Sequence, residues 1–329
     1  MFSVLPYGCI TYRHMSDDNI FHFNINRLVA NGLVSKEYPV FTVRKDVLDT
    51  DFLVDTLNSS PLFSVFCIQQ KKGGTRTRLY FKTLCSYQMF LPALHEQQVI
   101  ASFIRLLDKR IERQVELVET LKKYKRGLVF QVFKENNPFG IEVKPVPMTE
   151  LLAEYRNRNT SGLRVCSVAV NKGVVDQIEH LGRSFSAADT SNYGRVKPGD
   201  VVYTKSPTGS FPYGIVKQNF LNEEVAVSPL YGVYTPCSRD IGYLLHIYFE
   251  QHQNANNYIR TLAQKGAKNT INISTAHFLE KSIMFPTHEE NIAFLANMFS
   301  KVTAKIAQTE TEYDLLCSQR LAFMLQLFI

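Results

Sequence analysis

An apolar residue recurs every three or four positions from Glu96 to Phe133, and this period governs what the rest of the chain can do. Stepping alternately by four and three from Ile100 gives Ile104, Leu107, Ile111, Gln114, Val118, Leu121, Lys125 and Leu128, and seven of these nine positions are apolar. No Gly or Pro interrupts the stretch before Gly127. A 3.5-residue period held this long is the seam of a coiled coil, not the wider stripe of a surface helix. Such a helix is roughly 50 Å long and needs a partner along its length. The chain supplies one. Adding 195 to each position gives Leu295, Phe299, Val302, Ile306, Thr309, Tyr313, Leu316, Arg320 and Phe323. Polar falls on polar at Gln114 and Thr309, basic on basic at Lys125 and Arg320, and the other pairs are apolar. Two unrelated amphipathic helices share part of such a pattern; agreement at every position indicates duplication. The helices are expected to pair antiparallel, with Ile111 and Gln114 near Ile306 and Thr309.

The segments before the helices repeat as well. Gly199 to Thr204 resembles Gly8 to Arg13, Val233-Tyr234 resembles Thr42-Val43, and Tyr243-Leu244 resembles Phe52-Leu53, all at an offset of 191. Lys265 to Thr270 resembles Lys72 to Thr77 at an offset of 193. The drift from 191 to 195 fits short insertions between two copies of one unit, a globular domain followed by a long helix. The expected fold is α+β: two β-rich domains, 1–92 and 137–288, and two long helices, 93–136 and 289–329, forming an antiparallel coiled coil with pseudo-two-fold duplication. Residues 1–92 read as short strands and turns with little helix. Ile10 to Arg13 and Val40 to Val43 suit strands, and Asp51 to Asn58 suits a short helix closed by Asn58-Ser59-Ser60-Pro61. Met148 to Tyr155 reads as a helical start and Arg164 to Val170 as a strand. Asn136 to Gly140 is turn-rich and marks the break between copies. About fifty residues, Pro145 to Pro198, have no counterpart before Gly8, so the first domain is expected to lack its N-terminal portion.

Composition narrows the class. Apolar content is 45% and charged content 20%, ordinary for a soluble globular protein. No run of 18 apolar residues exists, so no membrane span is expected. No basic region followed by an apolar core opens the chain, so no signal peptide is expected. Six cysteines lack CxxC spacing, which argues against zinc and disulfides and fits a reducing cytoplasm. The net charge is +7. The first helix carries eight cations against five acids and the second three against five, so the remaining excess lies in the globular parts. That placement suits a polyanionic partner.

Catalytic signatures are missing from the sequence. There is no GxxxxGK[ST] loop, no HExxH and no GxSxG, and the eight histidines have no metal-ligand spacing. Asn137-Pro138-Phe139 shares residues with the Asn-Pro-Pro-aromatic tetrad of adenine methyltransferases, but the second proline is missing and a helix-ending turn explains it better. What remains is basic loops. Lys71-Lys72-Gly73-Gly74-Thr75-Arg76-Thr77-Arg78 holds four cations in eight residues. Glycine lets backbone approach a phosphate, Lys and Arg neutralise it, and Arg76 and Arg78 suit guanine edges. A solvated hairpin tip explains the same residues. Lys265, Lys268 and Asn269 form a partial repeat. The polar segment Lys205, Thr208 and Ser210 follows a strand, and Arg156-Asn157-Arg158-Asn159 offers guanidinium and amide groups, or else an exposed connection.

At the long helices the pattern resembles a known family, the DNA-specificity subunits of type I restriction-modification systems. There, target-recognition domains alternate with long helices that open with a proline, a Glu-Gln pair, an Ile, and Leu-Asp followed by Ile. The first helix here reads Pro92, Glu96-Gln97, Ile100, Leu107-Asp108 and Ile111, and closes with Leu121-Lys122, Lys125 and Phe133. The second keeps Pro286 and Glu289-Glu290 but has Thr303 where Asp is usual. Lys265-Gly266, with Asn269, Ile271 and Ile273 before Pro286, is similar to the end of a family recognition domain. The resemblance implies a non-catalytic subunit reading a bipartite site in double-stranded DNA, with the helices setting the distance between halves. It implies modification subunits carrying S-adenosylmethionine and a restriction subunit using ATP and Mg, with no cofactor or metal on this chain. The residues alone leave open a coiled-coil protein-interaction scaffold that never touches DNA, or an enzyme with a scattered site.

Overall fold

Two helices of 39 residues each, Leu94–Val132 and Glu289–Leu327, are the longest elements. The computed structural model describes residues 2–155, 157–182, 189–265 and 271–327, with only the backbone at 180–181, 264–265 and 271–272. The chain forms two compact units: Met1–Glu119 with Gln308–Ile329, and Thr120–Ala307. Both boundaries fall inside the long helices, so each unit holds a segment of both.

In the first unit a three-stranded antiparallel sheet runs in the order Phe23–Ile25, Ile10–Tyr12, Val40–Phe41. A ribbon pairs Phe2–Pro6 with Asn31–Ser35. Tyr12 is the centre of the core: its ring stacks on Phe23 at 4.5 Å and its hydroxyl donates to the Leu79 carbonyl at 2.8 Å. The stretch expected to hold little helix has three among the described residues, Thr50–Ser59, Pro61–Gln69 and the short Phe81–Leu84. Ser60-Pro61 is not only a stop. The Ser60 N–H donates to the Thr56 carbonyl, closing the first helix, while its hydroxyl accepts from the Phe63 N–H, opening the second. Proline in the first helical turn costs no hydrogen bond, which is why a breaker signal here begins a helix.

Gln97, from the Glu-Gln pair of the helix motif, is fully buried. Its Nε2 donates to the carbonyls of Val47 (3.0 Å) and Pro92 (2.9 Å), and its Oε1 accepts from the Asp49 N–H at 2.9 Å. One side chain therefore satisfies three main-chain groups and fastens the start of the long helix to its domain.

The two long helices run antiparallel in this unit. Ala101 and Ile104 pack with Met324 and Phe52, Phe103 lies edge-on to Phe323 at 5.1 Å, Asp108 pairs with Arg320, and Gln114 bonds Thr309. Numbers rise on one helix as they fall on the other. Of the seam positions, Ile104, Phe299, Ile306 and Leu316 are buried, and Leu107, Ile111, Leu121 and Val302 are half-buried. The strict 3.5 period slips at each far end. Val129 is 1% exposed while Leu128 is only half-buried, and Met324 is 2% exposed while Phe323 is 36% exposed. A straight helix loses about 20° per heptad against a 3.5 repeat, so after four heptads the inward position has moved on by almost one residue. At these ends burial follows straight-helix geometry.

In the second unit a four-stranded antiparallel sheet runs in the order Val216–Gln218, Val201–Tyr203, Gly232–Pro236, Leu152–Glu154. The expected helix at Met148 lasts only to Leu151 before the strand Leu152–Glu154 begins. Cys166–Ala169 forms a hairpin with Gly173–Asp176. The helices Arg239–Glu250 and His252–Ile259 cover the sheet, and one core joins them to Val129, Val132 and Phe133 of the first long helix and Leu295 and Phe299 of the second. Asn137 organises the turn after the first long helix: its Oδ1 accepts from the N–H groups of Phe139 and Ile141 at 3.1 Å, as a turn residue should. Among the described residues no helix is long and apolar enough to cross a membrane.

Candidate nucleic-acid interface

Strand order in the second unit decides where its polar loops emerge. Val201–Tyr203 and Leu152–Glu154 each pair antiparallel with Gly232–Pro236, so they run parallel to each other. Both end at the Gly232 edge of the sheet. From the first the chain continues to Lys205, Thr208 and Ser210; from the second, through Tyr155, to Asn157 and Arg158. The structure thus brings the Lys205 loop and the Arg158 connection out at one end of the sheet. The base of a third segment joins them. The hydroxyl of Thr275 donates to the Glu154 carboxylate, and its carbonyl accepts from the Tyr234 hydroxyl at 3.1 Å. Thr275 follows the short pair Gln264–Lys265 with Ile271–Asn272. Lys268, Asn269 and Arg156 lie outside the described residues, and only the backbone of Lys265 is described.

The Lys205 loop is tightly built at its root. The Thr204 N–H donates to the Ile215 carbonyl at 2.9 Å, and the Thr204 hydroxyl accepts from the Ile215 N–H at 3.1 Å. Gly214 has φ +96°, and a Cβ there would lie 1.8 Å from the Thr204 carbonyl oxygen, so only glycine fits. At the tip, Thr208 and Phe211 exchange main-chain bonds of 3.0 and 2.9 Å. Asn256 Nδ2 donates to the Ser210 carbonyl at 3.3 Å, tying the tip to the helix His252–Ile259. Thr208 and Ser210 are exposed and Lys205 half-buried. Burial holds the Lys205 ammonium below its ordinary range, with the Glu154 carboxylate opposing that shift. Arg158 is exposed and bridges Gly194 through its backbone. Asn159 is not available to a base edge. It is 3% exposed, with Oδ1 accepting from the Leu163 N–H at 2.7 Å and Nδ2 donating to the Thr190 hydroxyl at 3.2 Å.

In the first unit the basic stretch follows the helix Pro61–Gln69 and enters the strand Thr77–Arg78, which pairs with Met15–Ser16. It links a helix to a strand and is no hairpin tip. Gly73 and Gly74 both have positive φ. Lys71, Lys72, Arg76 and Arg78 are all exposed, but they are not equivalent. Arg76 Nε donates to Asp17 at 2.8 Å, so part of its charge is answered within the unit. Arg78 Nη1 donates to the Tyr80 hydroxyl at 3.3 Å, and the Tyr80 ring stacks on His14 at 5.3 Å. Neither Lys71 nor Lys72 forms an ion pair among the described residues. These two offer the least encumbered charge for a phosphate.

Sequence inspection missed a polar cluster inside the second unit. Lys125, a seam position, reaches Glu250 at 2.6 Å, and Lys217 and His246 lie beside them, both buried. His246 Nδ1 accepts from the Gln218 N–H at 3.3 Å. Burial, with the charges of Lys217 and Lys125, holds His246 well below its ordinary pKa. The signal was present: a cation at a seam position of both helices needs an acid. Among the described residues no cluster of His, Cys, Asp and Glu could hold a metal ion.

Comparison with known proteins places this geometry. Residues 31–122 match the family described as "Type I restriction modification DNA specificity domain". The fold of the whole chain is similar to the type I restriction-modification S subunit from M. genitalium, at 13% identity and a TM-score of 0.57, over 100% of this chain and 84% of that one. It is also similar to the HsdS subunit from Thermoanaerobacter tengcongensis, at 14% identity and a TM-score of 0.52, over 98% and 80%. A chain from a structure concerned with complex assembly and conformational transition of the type I R-M system aligns at 15% identity and a TM-score of 0.55, over 98% and 82%. No curated protein sequence matches. The resemblance to type I specificity subunits therefore holds at two levels: in sequence over residues 31–122, and in fold over the whole chain.

Proposed function

We propose that this chain is the DNA-specificity subunit of a type I restriction-modification system, a protein that recognises duplex DNA and performs no chemistry itself. The observation that carries this is the DNA specificity domain match at residues 31–122, inside a chain whose full-length fold is that of such subunits. In the finer form of the proposal, each unit reads one half of a bipartite target and the antiparallel long helices set the distance between halves. Duplication of the units is supported by the order of their elements: strands Ile10–Tyr12 and Val201–Tyr203, helix pairs starting at Thr50 and Arg239, and equal long helices. Lys71, Lys72, Arg76, Arg78, Arg156, Arg158, Lys205, Thr208, Ser210, Lys265, Lys268 and Asn269 are the proposed DNA contacts. Lysines serve phosphates; hydroxyl, amide and guanidinium groups serve base edges.

The proposed partners are modification subunits, which would bring S-adenosylmethionine and methylate adenine, and a restriction subunit, which would use ATP and Mg to cut, all in the cytoplasm. The test is a methylome of the source genome with and without this gene. Loss of one bipartite methylated motif is expected. An unchanged methylome in a strain with active modification subunits would overturn the proposal and favour a protein-interaction scaffold.

A further inference from the structure

Lys125 and Arg320 occupy the same seam position in the two helices, 195 residues apart. An apolar residue is expected there, and a cation in a helix–helix seam is costly unless it is answered. Arg320 finds its answer on the facing helix and Lys125 on a domain helix. Arg320 is bidentate on Asp108, through Nε to Oδ1 and through Nη2 to Oδ2 at 3.3 Å. Asp55, on the domain helix Thr50–Ser59, feels the charges of Asp108, Asp51, Arg320 and Arg27. Asp51 on that helix takes Arg27 from its own domain and Arg105, at 3.9 Å, from the first long helix. Asp51–Arg105 thus ties the domain helix to the first long helix, and Asp108–Arg320 ties the first long helix to the second. In the second unit Lys125 reaches Glu250 at 2.6 Å, at the end of the domain helix Arg239–Glu250. Lys217, on the sheet strand Val216–Gln218, faces the same carboxylate.

The chain order makes these pairings unusual. Lys125 belongs to the helix that follows the first domain, yet it holds the second. Arg320 belongs to the helix that follows the second domain, and it pairs with Asp108 on the helix that follows the first. Gln97 fastens a domain to its own helix; Lys125 fastens the second domain to the helix that follows the first, and Arg320 fastens the two long helices to each other beside the first domain.

We propose that Lys125 and Arg320 are positioning residues for target reading: Lys125 fixes a reading domain against its helix, Arg320 fixes the helix pair beside the other domain, and both so constrain the number of base pairs between the half-sites. This rests on the DNA-reading function proposed above. A phosphate or base contact sets which half-site is bound; these two residues set how far apart two bound half-sites stand.

The experiment is selection from duplexes carrying a randomised central stretch, using the chain assembled with its modification subunits, read by sequencing. The wild type is expected to enrich two half-sites at one separation. Lys125→Met and Arg320→Met should enrich the same half-sites, with separations one base pair longer or shorter rising by roughly fivefold, the scale of one missing ion pair. Lys125→Arg should keep the single separation. A single separation in both methionine variants overturns the inference. Should either variant fail to fold, Glu250→Gln and Asp108→Asn break the same pairs from the acidic side, and an unchanged separation in those overturns it equally. A wild-type selection with no bipartite motif defeats the DNA-reading proposal itself, and this inference with it.

Discussion

Gln114 Nε2 donates to the main-chain oxygen of Thr309 at 3.0 Å, across the two long helices. The same nitrogen reaches Glu312 at 3.0 Å, and Thr309 is fully buried. A polar layer within an apolar seam specifies register at some cost in stability, because any slip would bury an unpaired amide. Gln114 and Thr309 are the polar positions that the 195-residue offset aligns in the sequence, and they meet across the antiparallel helices.

The seam itself should be intolerant of charge. Ile104 is fully buried among Phe52, Ala101 and Met324. Ile104→Asp is expected to cost about 4 kcal/mol or more, read as a large drop in melting temperature or loss of soluble protein. Ile111, half-buried, should tolerate Ile111→Asp better than Ile104 does.

Gly214→Ala should damage the root of the Lys205 loop. The added Cβ meets the Thr204 carbonyl oxygen at 1.8 Å, on a backbone with φ +96°. A loss of about 2 kcal/mol or more is expected in the second unit, with faster proteolysis near residue 205 and little change in hydrogen exchange of residues 10–25.

Asp55→Asn should stabilise the first unit at alkaline pH. Burial, with Asp108 and Asp51 adding and Arg320 and Arg27 opposing, pushes the Asp55 carboxyl up to about 6. An unfolded aspartate titrates near about 3.9. The folded pKa is the higher one, so this group's favourable contribution is complete below the unfolded value and is lost as pH rises through 6. Asparagine stays neutral throughout. The variant should therefore gain on the order of 1 kcal/mol over wild type at pH 8 and almost nothing at pH 4, measured by denaturant melts.

His246 predicts the opposite trend in the second unit. It is buried, and its folded pKa lies well below the ordinary value. The unfolded chain takes up a proton below about pH 6.5 that the folded chain refuses, so stability is whole above that pH and falls as pH drops. His246→Asn, which keeps an acceptor for the Gln218 N–H, should flatten the slope between pH 6.5 and 5.5.

The proposed phosphate anchors have a separate signature. Lys71→Ala, Lys72→Ala and Lys205→Ala should each weaken binding of the assembled complex to every duplex. Each should also lower the salt-dependence slope by about one unit, because one fewer phosphate is neutralised. Unchanged slopes in all three would return these lysines to solvated loops.

Long periodic elements were legible because their signal accumulates over many turns. The two helices, their antiparallel pairing and the turn at Asn137 all followed from spacing and composition. Single residues were harder. Ser60 carries the same letters whether it ends a helix or joins two, and only the burial of Phe63 and Cys67 decides. Asn159 suits a base edge by chemistry and a loop root by position, and the backbone took it. Arg76 counts as a free cation until the chain folds Asp17 against it. Gln97 appeared as one letter of a motif, with no hint that it would serve three main-chain groups.

The first unit contains residues 1–119 together with 308–329. Residues 120–307 all lie between these two parts. During synthesis the second unit therefore has its whole sequence before the first can acquire Met324 and Arg320. Until then Ile104 and Asp108 wait without Met324 and Arg320 for as long as translation of some two hundred residues takes, about 10–40 seconds. A nick or stop codon after residue 307 would spare the later-made unit and cripple the earlier one.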